Sequence, residues 1–384
     1  MTAADPPMKP GPSGGLPILG QLSNVARIAV LGTLGLSVAA MVLDFGLHAD
    51  ETVVFLVAAA AILGLAWVVG LSTERLGSLT GPQVGGILNA TFGNIAELII
   101  AFFALQAGLI DVVKASLAGS VIGNLLLVLG ASVLVGGLRH GTQTFSPKIA
   151  GSNAALLVVA VIGLFVPAVF AFTTSESTQG TRTEESVLVA VALIVGYVLS
   201  LIYQFTHASE TLGGHGEPTG HGGPAWTTRI SIVVLLMAAA LLTVLSEILV
   251  GAIDGFIESF GLTPFFVGVV LIPTIGNLAE HLVAVQLAAK DKMEFAMAVS
   301  FGSSLQVALF VAPVLVLLGA FLGQPMDLVL HAPGGDRGRG GRGHQCADRP
   351  RWRVELAGRR TARDRLRHPG RLVLRVRLTA SFPA

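Results

Sequence analysis

The sequence predicts an all-α polytopic membrane protein built from two inverted repeats, the architecture of many secondary transporters. Three observations carry this expectation. More than half of the 384 residues are hydrophobic and only 12% are charged, far from the mix of a soluble protein. Apolar stretches long enough to cross a bilayer as helices recur along the chain. One short motif, Gly-Asn-x-x-Glu, occurs twice inside such stretches, at Gly93 to Glu97 and at Gly276 to Glu280.

The apolar runs lie at about 25–47, 53–72, 84–108, 112–138, 149–172, 186–205, 230–254, 264–289 and 295–322, which gives nine helices. Helices are required because lipid offers no partner to an unpaired backbone N–H or C=O. Short alternating segments, the mark of a membrane β-barrel, are absent from the sequence. Residues 1–24, rich in proline and glycine, read as a disordered tail and not as a cleaved signal peptide. Residues 25–50 form a lone first helix, 51–205 a first repeat of five helices, and 230–330 a second repeat with only three. Between the repeats, 206–229 is a glycine-rich linker with His207, His215 and His221, read chiefly as a solvated hinge and alternatively as a weak metal or pH-sensing segment. The single cysteine, Cys346, allows no intrachain disulfide.

Basic residues set the expected orientation. Lys9, Arg27, Arg75, Arg139, Lys148, Arg229, Lys290 and Lys292 all fall on one side of the nine-helix arrangement. The opposite loops carry Asp50, Glu51, Asp111, Glu176, Glu184, Glu185 and Asp254 against only Lys114 and Arg182. The positive-inside rule then puts the N-terminus in the cytoplasm.

A shift of 183 positions (280 − 97) superimposes the repeats. It pairs Thr91 with Thr274, Gly93 with Gly276, Asn94 with Asn277, Ala96 with Ala279 and Glu97 with Glu280. The same shift continues into the next helix, pairing Gly119 with Gly302, Ser120 with Ser303, Leu126 with Leu309, Val128 with Val311 and Leu134 with Leu317. One offset across two helices and a loop marks an internal duplication. The helix with Glu97 is expected to run outward and the helix with Glu280 inward, so the repeats are inverted.

A carboxylate at membrane depth is costly and signals function. Asn94 and Glu97 are three apart and share a helix face, while Gly93 permits close approach. Pro273 precedes the second motif and removes a backbone donor, so a broken helix with freed carbonyls is expected there. Two carboxylates, two amide oxygens and carbonyls form an all-oxygen set suited to a hard cation with six to eight ligands, calcium above all. The expected cation and proton site is therefore Glu97, Glu280, Asn94 and Asn277, with Gly93, Gly276, Thr91, Thr274 and Pro273 in support. Two facing carboxylates left without a cation repel each other and can take up about two protons in exchange. His281, beside Glu280, is read either as a proton relay or as a packed histidine bonded to a carbonyl. Ser116, Gly119, Ser120, Gly123, Ser300, Gly302, Ser303 and Ser304 suit close helix packing, whereas the amides of Asn124 and Gln306 are expected to face the ion path. Glu247 is expected inside the seventh helix as part of a proton or cation route, and Glu74 as a cytoplasmic end charge.

These residues resemble a known family. The paired Gly-Asn-x-x-Glu motifs look like the α-repeats of the cation/calcium exchanger superfamily. Glu280-His281 with Gly302-Ser303-Ser304-x-Gln306 is similar to its calcium/proton exchanger branch. The resemblance spans about residues 25–330. It implies a secondary antiporter of the cell (inner) membrane that exports Ca2+ against H+, with Glu97 and Glu280 as the central carboxylates and Asn94 and Asn277 beside them. It implies no cofactor beyond the transported ion, no nucleic-acid partner and about eleven helices; homo-oligomerisation stays open. The competing readings are a sodium/calcium-type exchanger, a cation channel, an intramembrane enzyme working by paired carboxylates, and a non-functional truncated product.

The last segment changes character. From Ala332 to Ala384 there are fourteen arginines against four acidic residues, a charge of +10, while the preceding body is −9 (ten basic minus nineteen acidic). Such a tail could bind anionic lipid or nucleic acid, but a genetic cause is preferred. Arginine and glycine codons read one base later become largely alanine, valine, glycine or acidic codons. GC-rich codons for Cys346 to Gly358, shifted by one base, give ALIALDGESNWLE, like the loop before the family's last helix. The flanking stretches shift into apolar runs. The expectation is a single-base frameshift near Leu330 that replaces the last two helices with residues 331–384, a basic segment that cannot cross lipid.

Overall fold

The computed structural model describes residues 22–81, 88, 91–173, 179–206 and 226–328, together with 353–354 and 378–379. The three linker histidines, most of the N-terminal tail and most of the arginine-rich segment lie outside the described residues. The chain divides into two compact units, Met1–Pro333 and Gly334–Ala384. In the second, β1 (Arg353–Val354) pairs antiparallel with β2 (Leu378–Thr379).

The regular secondary structure of the first unit is all helical among its described residues. Helix α1 (Asn24–Gly46) starts where Ser23 Oγ accepts from the Ala26 N–H at 3.2 Å, a side-chain N-cap. It lies at the outside, burying little beyond Thr33, Ser37 and Ala40. Thr33 seats on Gly64 of α2 (Glu51–Thr80), where a Cβ would come 2.8 Å from the Thr33 Cγ2. Without a hydrophobic drive between helices in lipid, such small-residue contacts hold them together. Helix α2 is central, with a buried stripe from Val54 to Leu76, and packs against α7 (Thr228–Gly251). A short helix α8 (Ile253–Phe260) follows α7 and stacks Phe256 on Phe55 of α2, ring centres 4.1 Å apart.

The functional core uses α3 (Ile95–Gln106), α4 (Ile110–His140), α9 (Pro264–Ala288) and α10 (Met293–Leu322). Helices α5 (Pro147–Thr173) and α6 (Gln179–Thr206) complete the first repeat. Among the described residues, eight helices are long and apolar enough to cross a membrane, and α3 is a shorter apolar one. The expected run 84–108 is therefore not one uninterrupted helix among its described residues. The backbone turns at Gly93-Asn94, with Asn94 at φ −106°, and α3 starts at Ile95. The break expected at Pro273 is not there. A π turn over Val267–Leu271 precedes the proline, Ile272 N–H reaches back to Val267 O, and the helix runs on to Ala288. The wide turn absorbs the donor that proline lacks, whereas glycine followed by asparagine favours a true helix start.

The duplication shows in the backbone. Helix α4 contains a π turn at Gly123–Val128 and α10 one at Val307–Val311. Their ends are 183 apart (311 − 128), the offset of the sequence repeat. Helices α4 and α9 cross on glycines: a Cβ on Gly268 would lie 2.5 Å from Ala115 Cβ and 2.9 Å from Val112 O, and one on Gly119 would strike the Val269 carbonyl.

Candidate functional site

The two motifs meet at the crossing of α3 and α9. Glu97 lies in the first turn of α3, where the helix dipole favours a negative group. Its carboxyl rests on Gly276 of α9: a Cβ at Gly276 would lie 2.9 Å from both Glu97 Cγ and Cδ. Glu280 is one turn further along α9, close enough for its charge to act on Glu97, and Asn277 lies beside the Glu97 carboxyl. The structure thus brings Glu97 of the first half together with Gly276, Asn277 and its own counterpart Glu280 of the second.

Their polar atoms are buried and lack protein partners. Both carboxylate oxygens of Glu97, both amide atoms of Asn277 and Oε2 of Glu280 make no hydrogen bond. Asn277 and Ser303 sit next to Glu97 and Glu280 respectively, near enough to influence those carboxylates but, for the five atoms named, outside hydrogen-bonding geometry. Leaving such groups unsatisfied costs about 1–3 kcal/mol each, more when charged. A cation bound between them removes that cost, and the donor set, oxygen throughout apart from the Asn277 amide nitrogen, suits a hard one.

Asn94, the counterpart of Asn277, behaves differently. Its Nδ2 donates to Gln306 Oε1 at 2.5 Å and its Oδ1 accepts from Ser303 Oγ at 2.9 Å. Ser303 Oγ accepts in turn from Asn124 Nδ2 at 3.0 Å, and Asn124 Oδ1 lies 2.9 Å from His281 Nε2. An amide oxygen only accepts, so in this arrangement His281 carries its proton on Nε2. The chain Gln306–Asn94–Ser303–Asn124–His281 ties α10, the N-cap of α3, α4 and α9 into one network around the carboxylates. The two asparagines are thus bonded differently: both amide atoms of Asn94 have side-chain partners, while those of Asn277 have none. The reason lies in the repeat itself, since the 183 offset pairs Gln306 with Gly123, Asn124 with Val307 and His281 with Leu98. Only one half has side chains able to hold its asparagine this way. His281 is bonded to an amide oxygen, which neither reading of it from sequence had named.

The remaining sequence-predicted residues sort plainly. Pro273 and Ser120 are buried and Gly93 is half-buried. Thr91 and Thr274 are exposed, and Thr274 Oγ1 donates to Val270 O at 2.6 Å, inside the π turn. Glu247 is exposed on α7, four residues before its end at Gly251, and takes no part in the network. Its place deep in an apolar run hid which face of the helix it occupies. Three contacts were not read from sequence. Lys114 of α4 pairs with Asp327 beyond α10. Gln143 Nε2 donates to Ala288 O at 3.1 Å, and His140 Nε2 lies 2.9 Å from Ala289 O, clasping the end of α9. All three join residues more than 140 positions apart, and no local pattern marks them.

Comparison with known proteins places the chain in a family. The chain matches the sodium/calcium exchanger protein family over residues 51–206 and 230–334. It is 45% identical over 298 residues to a Ca(2+)/H(+) antiporter of Synechocystis sp., covering 72% of this chain and 79% of that protein. It is 39% identical over 290 residues to the Ca(2+)/H(+) antiporter ChaA of Bacillus subtilis, covering 75% and 82%. The solved structure of native YfkE superimposes with a TM-score of 0.67 at 34% identity, covering 80% of this chain and 87% of that one. The H+/Ca2+ exchanger CAX shares the fold, with a TM-score of 0.63 at 15% identity over 79% and 78% of the two chains. The chain belongs to the sodium/calcium exchanger protein family, among its calcium/proton antiporter relatives, and is a transporter and not an enzyme.

Proposed function

We propose that this protein exports Ca2+ across the cell (inner) membrane in exchange for H+, alternating access around Glu97 and Glu280, with its N-terminus in the cytoplasm. One observation carries the reading: the buried, unpartnered oxygens of Glu97 (Oε1 and Oε2), Glu280 (Oε2) and Asn277 (Oδ1), the two glutamates standing at matched positions of the two repeats. Two carboxylates balance the charge of one calcium ion, or take two protons when it leaves, so the same groups serve both substrates in turn. Neither carboxylate is neutralised by a lysine or arginine in the network, which leaves the cation or the proton as the neutralising partner. Asn277 Oδ1 supplies a further ligand, and Gly276 gives Glu97 the room to reach it. The network from Gln306 to His281 holds the α3 break against α10, α4 and α9, and so sets where Glu97 starts its helix.

The names of the relatives support the pairing of Ca2+ with H+. The test is calcium uptake into everted membrane vesicles under an imposed pH gradient. Uptake that a protonophore abolishes, and that Glu97→Gln and Glu280→Gln each remove, is the expected result. Uptake driven by a sodium gradient without a pH gradient would overturn it.

A further inference from the structure

The segment after α10 folds back onto the bundle. Gly323 takes the left-handed conformation at φ 72°, the Gln324 N–H returns to Gly319 O at 2.9 Å, and Met326 is buried. Leu328 N–H donates to Ser186 Oγ of α6 at 3.2 Å, and Asp327 pairs with Lys114 of α4. Residues 324–328 therefore form a roof tied to two helices. Against this roof lies a cavity of about 360 Å³ between α4, α5 and α10. Leu117 and Val121 of α4, Val161 and Leu164 of α5, Ala308 of α10 and Met326 line its walls.

The chemistry of the cavity has two parts. Its walls are apolar, and the charged groups that line it are Lys114 and Asp327, at the end where α4 starts and α10 stops. From Lys114 to Val121 helix α4 advances about 10 Å, at ~1.5 Å per residue. That depth fits within one leaflet, half of a hydrocarbon core of about 30 Å. Val161 on the α5 wall is exposed, so the cavity opens on the flank of the bundle, where lipid is the neighbour. Apolar walls offer water no partners and suit a hydrocarbon chain. The charged pair suits a zwitterion: a phosphate against the Lys114 ammonium and an amine against the Asp327 carboxylate set four charges in alternation. An anionic lipid would bring its phosphate beside Asp327 without a compensating cation. A quaternary ammonium has no N–H to donate to a carboxylate, whereas a primary amine makes the strong charge-assisted bond.

We infer that this cavity is a phospholipid site: it takes one acyl chain of a zwitterionic, primary-amine phospholipid, whose phosphate meets Lys114 and whose amine meets Asp327. The chain fills the space between α4 and α10, the helices that carry Asn124 and Gln306. The roof over residues 324–328 separates this site from ordinary lipid-facing surface, because it places a charged pair directly above an apolar space. The site does not depend on the proposed exchange or on the orientation of the chain in the membrane.

The test uses the full chain in phosphatidylcholine vesicles doped with a phosphatidylethanolamine that carries a photoactivatable diazirine in one acyl chain, with the cross-links mapped by peptide mass spectrometry. Label concentrated on the cavity-lining stretches of α4, α5 and α10 is the expected result, with unlabelled phosphatidylethanolamine competing severalfold better than phosphatidylglycerol or phosphatidylcholine. Ala118→Phe, which fills the cavity, should lower that labelling severalfold, and Lys114→Gln with Asp327→Asn should abolish the preference among headgroups. The inference falls if label spreads evenly over exposed helices such as α1, if a second copy of the chain shields the cavity from label, or if the three lipids compete equally. The mapping and the competition are read on the parent chain, so they decide the question even where Ala118→Phe fails to fold. Labelling reads lipid binding without transport, so its failure is separable from failure of the proposed calcium/proton exchange.

Discussion

Gly276 and Glu97 fit together as socket and plug: the carboxyl of the first repeat occupies the volume where a side chain on the second would begin, 2.9 Å from both Glu97 Cγ and Cδ. The two halves therefore do more than lie side by side. The seat of Glu97 in the first repeat is a glycine of the second, 179 positions away (276 − 97).

Gly276→Ala is expected to push Glu97 off its seat. Overpacking of this kind costs about 1–3 kcal/mol, and a shift of about 1.4 kcal/mol is tenfold in affinity. Calcium affinity of the purified protein should fall by roughly tenfold or more, with the helical content measured by circular dichroism unchanged.

Gly119 and Gly302 occupy the same place in the two repeats but meet different surroundings. A Cβ on Gly119 strikes the Val269 carbonyl, while one on Gly302 meets nothing within 4 Å. Gly119→Val is expected to separate α4 from α9 and to lower the monodisperse yield on size-exclusion chromatography. Gly302→Val should leave the yield near that of the parent.

His281 holds a buried amide oxygen. His281→Phe leaves Asn124 Oδ1 without its donor, at a cost of about 1–3 kcal/mol, and should lower the thermal midpoint in detergent. His281→Gln, which can still donate, should recover most of the loss. Equal losses in the two variants would show that ring packing, not the hydrogen bond, is what matters.

Lys114 and Asp327 join the start of α4 to the segment after α10 and are both partly exposed. Pairs of this kind contribute about 0.2–1 kcal/mol. Asp327→Asn should destabilise modestly, and less at high salt because screening already weakens the pair. The exchange Lys114→Asp with Asp327→Lys should restore part of the stability.

Much of this was legible in the sequence, for physical reasons. Burial of glutamates in apolar runs is costly, so Glu97 and Glu280 stood out, and a fixed offset tied their surroundings together. The break in the helix was misplaced because proline is the stronger local signal. A π turn disarmed Pro273, while Gly93-Asn94, a weaker local signal, turned the chain instead. The unequal bonding of Asn94 and Asn277 is not legible locally because it depends on Gln306, Ser303, Asn124 and His281 converging from three helices. The exposed position of Glu247 was not legible because depth along an apolar run does not fix the face of the helix.

Equilibrium calcium binding to the purified protein, compared with Glu97→Gln, Glu280→Gln and Asn277→Ala, tests the site most directly. Loss of saturable binding in both glutamine variants, with weakened binding in Asn277→Ala, is the expected result. Saturable binding at parental affinity in both Glu97→Gln and Glu280→Gln would contradict a cation site built on these two carboxylates.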